Sequence, residues 1–193
     1  VGKWRTHVRA AKVKSLGLGG DSLISSRDGC NVSVGPGRVI PLCIQAQGTP
    51  ELVESLEWIL NRVRTKRETK VNPCSFYLAL DRARSSREKE LPDYLLKGLV
   101  SEYLLQSESK RGSAIWELER LERKGLLQRI GLTPTDIWVA SGRADLGSVR
   151  AARLGVELFA SFLSTSQAEL ERGVENEIGK YLHNLIGGSA DLA

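Results

Sequence analysis

Lys14 to Pro41 reads KSLGLGGDSLISSRDGCNVSVGPGRVIP, and its first half holds the residues best suited to chemistry. Gly19 and Gly20 can take backbone conformations closed to residues with a side chain, so successive N–H groups there can converge on one anion or carbonyl oxygen. Asp21 and Ser22 follow with an acceptor and a hydroxyl. His7, on the alternating segment before the turn, has the ordinary pKa of about 6.5 that suits an acid or a base. Far downstream, Thr133-Pro134-Thr135-Asp136 adds two hydroxyls and a carboxylate. Each feature also has a plainer reading: a tight strand-to-strand turn, a structural histidine, and a helix start. In the last, Thr133 or Thr135 is the cap, Pro134 lies in the first turn and Asp136 is favoured by the helix dipole.

Other chemistries have less to work with. Cys30, Cys43 and Cys74 are odd in number and lack CxxC spacing, and the only histidines are His7 and His183. That argues against a zinc site and for a reducing compartment, the cytoplasm. Cys74 has no histidine nearby in sequence and reads as a buried structural thiol rather than a nucleophile. No apolar run approaches the roughly 20 residues that span a bilayer. The net charge of +5 is concentrated in RVRTKRETK at 62–70 and RARSSREK at 82–89. Such runs are either solvated surface or an anion-binding patch.

The elements that must position these groups follow from pattern and punctuation. Strands are expected near 5–14, 22–26, 31–34 and 38–44, with Asp28-Gly29 favouring a two-residue hairpin and Gly35-Pro36-Gly37 forming a corner. Thr49-Pro50-Glu51 opens a helix whose apolar face is Leu52, Val53, Leu56, Ile59, Leu60 and Val63. Residues 74–80 read as a strand, 92–105 and 113–124 as helices, Gly125 as a C-cap and 126–130 as a further strand. Helix, turn, helix, strand is the layout of a winged helix. Its second helix sets Glu117, Glu119 and Glu122 beside Arg120, Arg123 and Lys124, and glutamates repel phosphate, which argues against nucleic acid. Ser148 caps a helix, and Ser166 with Glu169 forms a capping box for the last one, which runs to about Ile186.

The run TH-V-x-A-x-x-V-x-S-L-G-L-G-G-D-S, then V-G-P-x-R-V-x-P at Val34 to Pro41 and G-L-T-P-T-D at Gly131 to Asp136, resembles the hydantoinase A/oxoprolinase family. The resemblance covers residues 4–41 and 125–163. It implies ATP-dependent opening of cyclic amides within a nucleotide-binding fold of the sugar-kinase, actin and heat-shock-chaperone type. In that scheme Gly19 and Gly20 donate to phosphate or an oxyanion, Asp21 holds Mg²⁺ or positions water, and Ser22 bonds the substrate. Thr133 and Thr135 would bind substrate or phosphate, and His7 and Asp136 would stand at the site wall. Gly187-Gly188-Ser189 resembles the adenosine-contacting loop of that fold, although a helix directly precedes it, which also fits a C-cap and tail.

The early Asp-x-Gly-x-Thr loop and the second phosphate loop of that fold do not occur, the chain begins at Val1 and it contains no Met. The expectation is therefore a C-terminal piece of a longer hydrolase, inactive alone, with ATP and Mg²⁺ as cofactors. Its partners would be a small cyclic amide, the N-terminal part of the same protein and a partner subunit, with no membrane. The expected fold is α+β: a β-rich part of the core at 1–70, a winged-helix-like insert at 71–131 and a helical part of the core at 132–193. The alternatives are a winged-helix module on nucleic acid and an inactive scaffold in a larger assembly.

Overall fold

The computed structural model describes residues 18–65, 71–81, 92–96, 98–108 and 113–187, which form mixed α+β structure with two small sheets. The expected first strand at 5–14 and the basic run at 82–89 lie outside these residues, as does most of the run at 62–70.

Strands β1 (Ser22–Ser25) and β2 (Ser33–Arg38) pair antiparallel, with Ser22 opposite Arg38 and Ile24 opposite Val34. Between those pairs β1 has Leu23 alone while β2 has Gly35, Pro36 and Gly37, so the glycine-proline corner is an irregularity inside the strand. Gly35 takes a φ of 69°, which favours glycine there. The expected two-residue hairpin is instead a longer loop. The Asp28 carboxylate accepts the N–H groups of Cys30 at 2.9 Å and Asn31 at 2.8 Å, closing an Asx turn that delays the second strand to Ser33. Those bonds hold the Asp28 carboxyl far below the usual carboxylate range.

The expected strand at 38–44 is also shorter. Strand β3 is only Ile40–Pro41, and helix α1 (Leu42–Gln45) takes over because a distant carboxylate binds the N–H groups of Leu42 and Cys43. Helix α2 (Glu51–Thr65) follows with Leu52, Leu56, Ile59, Leu60 and Val63 buried. The Thr49 hydroxyl before it accepts the Gln45 side-chain amide at 2.8 Å.

Strand β4 (Phe76–Ala79) lies inside the second sheet between β5 (Val100–Ser101) and β6 (Leu127–Gly131), with β3 at the edge beyond β6. In the expected helix at 92–105 the structure places three pieces: α3 (Asp93–Leu96), β5 (Val100–Ser101) and α4 (Glu102–Glu108). Gly98 at a φ of 136° breaks the helix, and Val100 and Ser101 gain a ladder against Tyr77 and Phe76. Helix α5 (Ser113–Arg123) ends at Gly125, whose φ is 68°, and leads into β6 (Leu127–Gly131). The helix-to-strand succession of a winged helix is present, yet β6 pairs with β4 and β3 and enters α6 (Pro134–Ala140) without turning back through a wing. The sheet thus joins β3, from the expected β-rich part, to strands of the expected insert.

Helices α7 (Val149–Leu163) and α8 (Gln167–Gly187) complete the described chain. The main core packs α2 and α7 against β4 and β6 through Leu56, Ile59, Phe76, Ile130, Leu158 and Phe159. Ion pairs Arg64–Glu157 and Arg150–Glu57 bridge the two helices at the surface. A second cluster seats the helical unit on the sheet through Tyr77, Leu95, Leu118, Leu121 and Leu127.

Two glycines separate packing from propensity. Gly147 has a φ of 62°, and a Cβ there would overlap the Cys43 carbonyl, so Gly147→Ala should lower the unfolding free energy by about 2 kcal/mol or more. Gly179 in α8 has open space around it, and Gly179→Ala should raise that energy by about 0.5–1 kcal/mol. Urea titration reads both.

The capping box of α8 predicts a pH dependence. Glu169 accepts the Ser166 N–H at 2.9 Å and hydroxyl at 2.8 Å, while its own N–H donates to Ser166 Oγ at 3.2 Å. These bonds hold its carboxyl at about 2, below the ordinary 4.5. A carboxyl lowered on folding stabilises the fold above its unfolded value and loses that contribution as pH falls through the folded one. Wild type should therefore exceed Glu169→Gln in thermal stability above pH 4.5, with the gap closing toward pH 2.

Candidate functional site

The turn before β1 is wired from within. The Ser22 N–H donates to the Gly19 carbonyl at 3.0 Å and the Gly19 N–H donates to Ser22 Oγ at 2.9 Å. Ser22 is fully buried, so its hydroxyl is a brace for the turn rather than a group presented to substrate. The expectation that the Gly19 N–H faces an anion is corrected for the same reason: Ser22 already occupies it. Among the described residues no acceptor is bonded to the N–H of Gly20 or of Asp21.

The far side of the turn is held by α6. Thr135 donates its N–H at 3.1 Å and its hydroxyl at 2.8 Å to the Gly20 carbonyl. A Cβ on Gly20 would stand 2.7 Å from Thr135 Oγ1, so only glycine allows this approach. The Trp138 ring lies 4.0 Å from the same point and is partly exposed.

Asp21 and Arg38 close the outer side. The hairpin brings them together, since Asp21 precedes β1 and Arg38 ends β2. Arg38 donates to the Asp21 carboxylate at 3.3 Å, and the two side chains are 59% and 40% exposed. At Gly19 a Cβ would meet Asp21 Oδ1 at 2.9 Å and Arg38 Nη2 at 3.3 Å, so the pair folds over bare backbone.

Thr133 and Asp136 are fully buried. They form the capping box of α6: Asp136 Oδ2 accepts the Thr133 N–H and hydroxyl, each at 2.9 Å. The same carboxylate accepts the Leu42 N–H at 3.2 Å and the Cys43 N–H at 2.8 Å, so one side chain caps the helices that follow both parallel strands. Burial raises the Asp136 carboxyl above its ordinary value, and the bonds from Cys43 and Thr133 oppose that rise. This is the employment of a positioning group, closed to a substrate and not that of a catalytic acid at a site wall.

The thiols are not poised for attack at this site. Burial, with the Asp136 charge beside it, pushes the Cys43 thiol up to about 12, and burial raises Cys74. Cys30 is exposed and lines a groove of about 470 Å³ between the hairpin loop and α8, whose lining includes no residue of the Gly19 turn.

Arg38 stands beside the Asp21 carboxylate, and among the described residues no cluster of three His, Cys, Asp or Glu could hold a metal ion. Gly187 is the last residue of α8, while Gly188, Ser189 and His7 lie outside the described residues.

The structure thus brings Gly19, Gly20, Asp21 and Thr135 together, with Thr133 and Asp136 supporting them from inside. Sequence reasoning assigned no role to Arg38 or Trp138. The opposite charges at the two outer ends of one hairpin were the available signal for Arg38. No family model matches the chain, and neither a curated protein nor a solved structure matches it.

Asp136→Asn puts an amide NH₂ where a carboxylate oxygen accepts N–H bonds, leaving buried donors opposed. It should lower the unfolding free energy by about 2–4 kcal/mol. Thr135→Val removes one part-buried hydroxyl bond and should cost about 1 kcal/mol. Urea unfolding of the two variants side by side measures the difference.

Proposed function

We propose that this chain forms the amide-facing part of a hydrolase that opens cyclic amides with the help of ATP, in the manner of the hydantoinase A/oxoprolinase family it resembles. The observation that carries this reading is the meeting of Gly20 with Thr135. The segments on which the resemblance rests are far apart in sequence, and two hydrogen bonds join them around one surface turn. Conformational need alone would place glycines at the turn and a cap at the helix. The partnership between them fits a shared site.

Within that reading Asp21 is the residue that acts. Its carboxylate is partly exposed and can accept a proton or orient a water next to the amide carbonyl. The N–H groups of Gly20 and Asp21 supply donors for charge developing on the carbonyl oxygen. ATP activates an amide oxygen in such chemistry, and the two phosphate loops that would hold it do not occur in the sequence. The nucleotide side of the reaction is therefore assigned to other parts of the protein.

A role on nucleic acid has less behind it. Arg64, Arg143 and Arg150 each turn a guanidinium to a glutamate rather than to solvent alone. Helix α5 carries glutamates on the surface where a recognition helix needs donors for base edges.

The test is ring opening of hydantoin and 5-oxoproline, with Mg-ATP, by the protein that carries this chain. Asp21→Ala should reduce turnover by about 10²–10⁴-fold while the protein remains folded. Unchanged turnover in that variant would remove Asp21 from the mechanism, and no ring opening of either compound would count against the reading itself.

A further inference from the structure

We propose that Asp21 and Arg38 together read the edge of the cyclic amide, with the carboxylate accepting the ring N–H and the guanidinium donating to the neighbouring carbonyl oxygen. The inference rests on the reading of this chain as the amide-facing part of a hydrolase. It adds Arg38 as a specificity-determining residue and Trp138 as the wall against which the flat ring lies.

The geometry of the hairpin carries it. Because Ser22 stands opposite Arg38, the side chains of Asp21 and Arg38 emerge side by side at the end of the β1–β2 ribbon. One hydrogen bond of 3.3 Å joins Arg38 Nη1 to Asp21 Oδ2. A guanidinium has five N–H donors and a carboxylate has two acceptor oxygens, so the pair keeps donors and an acceptor facing outward. Both side chains are open enough to solvent for a ligand to reach them.

A secondary amide in a ring presents the complementary pattern, with N–H and C=O on adjacent atoms and on the same edge. A simple anion does not. Arg38 alone would attract phosphate or a carboxylate, but Asp21 lies in contact with it and repels them. The pair therefore selects a neutral donor-acceptor edge over a charged one. Gly19 makes this possible, because a side chain there would displace both Asp21 and Arg38.

Trp138 supplies the apolar component. Its ring stands against Gly20 and is 37% exposed, so part of it is open to solvent beside the turn. Gly20 stands against this ring and Gly19 against the charged pair. A five-membered cyclic amide resting on Trp138 would direct its polar edge to Asp21 and Arg38.

The test is an NMR titration of the ¹⁵N-labelled chain with hydantoin and, separately, with 1,3-dimethylhydantoin, which has the same ring and carbonyls but no N–H. Hydantoin should shift the amides of Gly19, Gly20 and Asp21 and the Trp138 indole, and the dimethyl compound should bind at least about tenfold more weakly. Arg38→Ala should weaken hydantoin by about tenfold, with Arg38→Lys recovering part of the loss. Equal binding of the two compounds, or hydantoin binding indifferent to Arg38→Ala, would overturn this inference and leave the amide-facing reading standing. No shift with either compound would overturn both. If Arg38→Ala does not fold, the comparison of the two ligands on wild type decides.

Discussion

One buried carboxylate holds this structure in register. Asp136 accepts N–H groups from Leu42 and Cys43 on one side and from Thr133 on the other. Strands β3 and β6 run parallel and end together at Pro41 and Gly131, and each feeds a helix at once. The first N–H groups of a helix have no partner within it, and at a buried strand end no water replaces them. A single side chain that satisfies both helices fixes their relative position.

The surface turn depends on that arrangement. With α6 anchored through Thr133 and Asp136, Thr135 is presented to the Gly20 carbonyl and the Trp138 ring to the same glycine. The hairpin is tied in by its own bonds: Val39 donates to the Asp21 carbonyl and Ile24 to the Leu132 carbonyl, each through its backbone N–H. The Asp21–Arg38 pair then sits at the end of a ribbon clamped at its base. A surface ion pair adds little stability by itself.

Local chemistry was legible in the sequence where the signal is local. Thr133-Pro134-Thr135-Asp136 reads as a helix start with either threonine as its cap, and the structure caps α6 with Thr133. Ser148 caps α7 through the Ala151 N–H, Ser166 and Glu169 cap α8, and the apolar spacing of α2 matches its buried face. What the sequence could not convey is that Asp136 reaches Leu42 and Cys43, because those partners lie 94 and 93 residues away and leave no periodic trace. The same bond turns an alternating apolar stretch at 38–44 into α1. At 92–105 the helical spacing of apolar residues was real, but Val100 and Ser101 found a partner strand in β4, and sheet pairing overrode it. The Asx turn at Asp28 shows the reverse case, in which a side chain local to the turn lengthened a hairpin that the dipeptide alone would have made tight.

The central claim is that Asp136 ties the helix after β3 to the helix after β6 and so sets the turn it supports. Residue-resolved hydrogen exchange of the Leu42 and Cys43 amides tests it most directly. If the carboxylate holds them, both exchange only through global unfolding, as core amides do. In Asp136→Asn they should then lose protection while Ile59 in α2 retains it relative to that variant's global stability. Exchange of Leu42 and Cys43 in the wild type at the rate of an open loop would contradict the account.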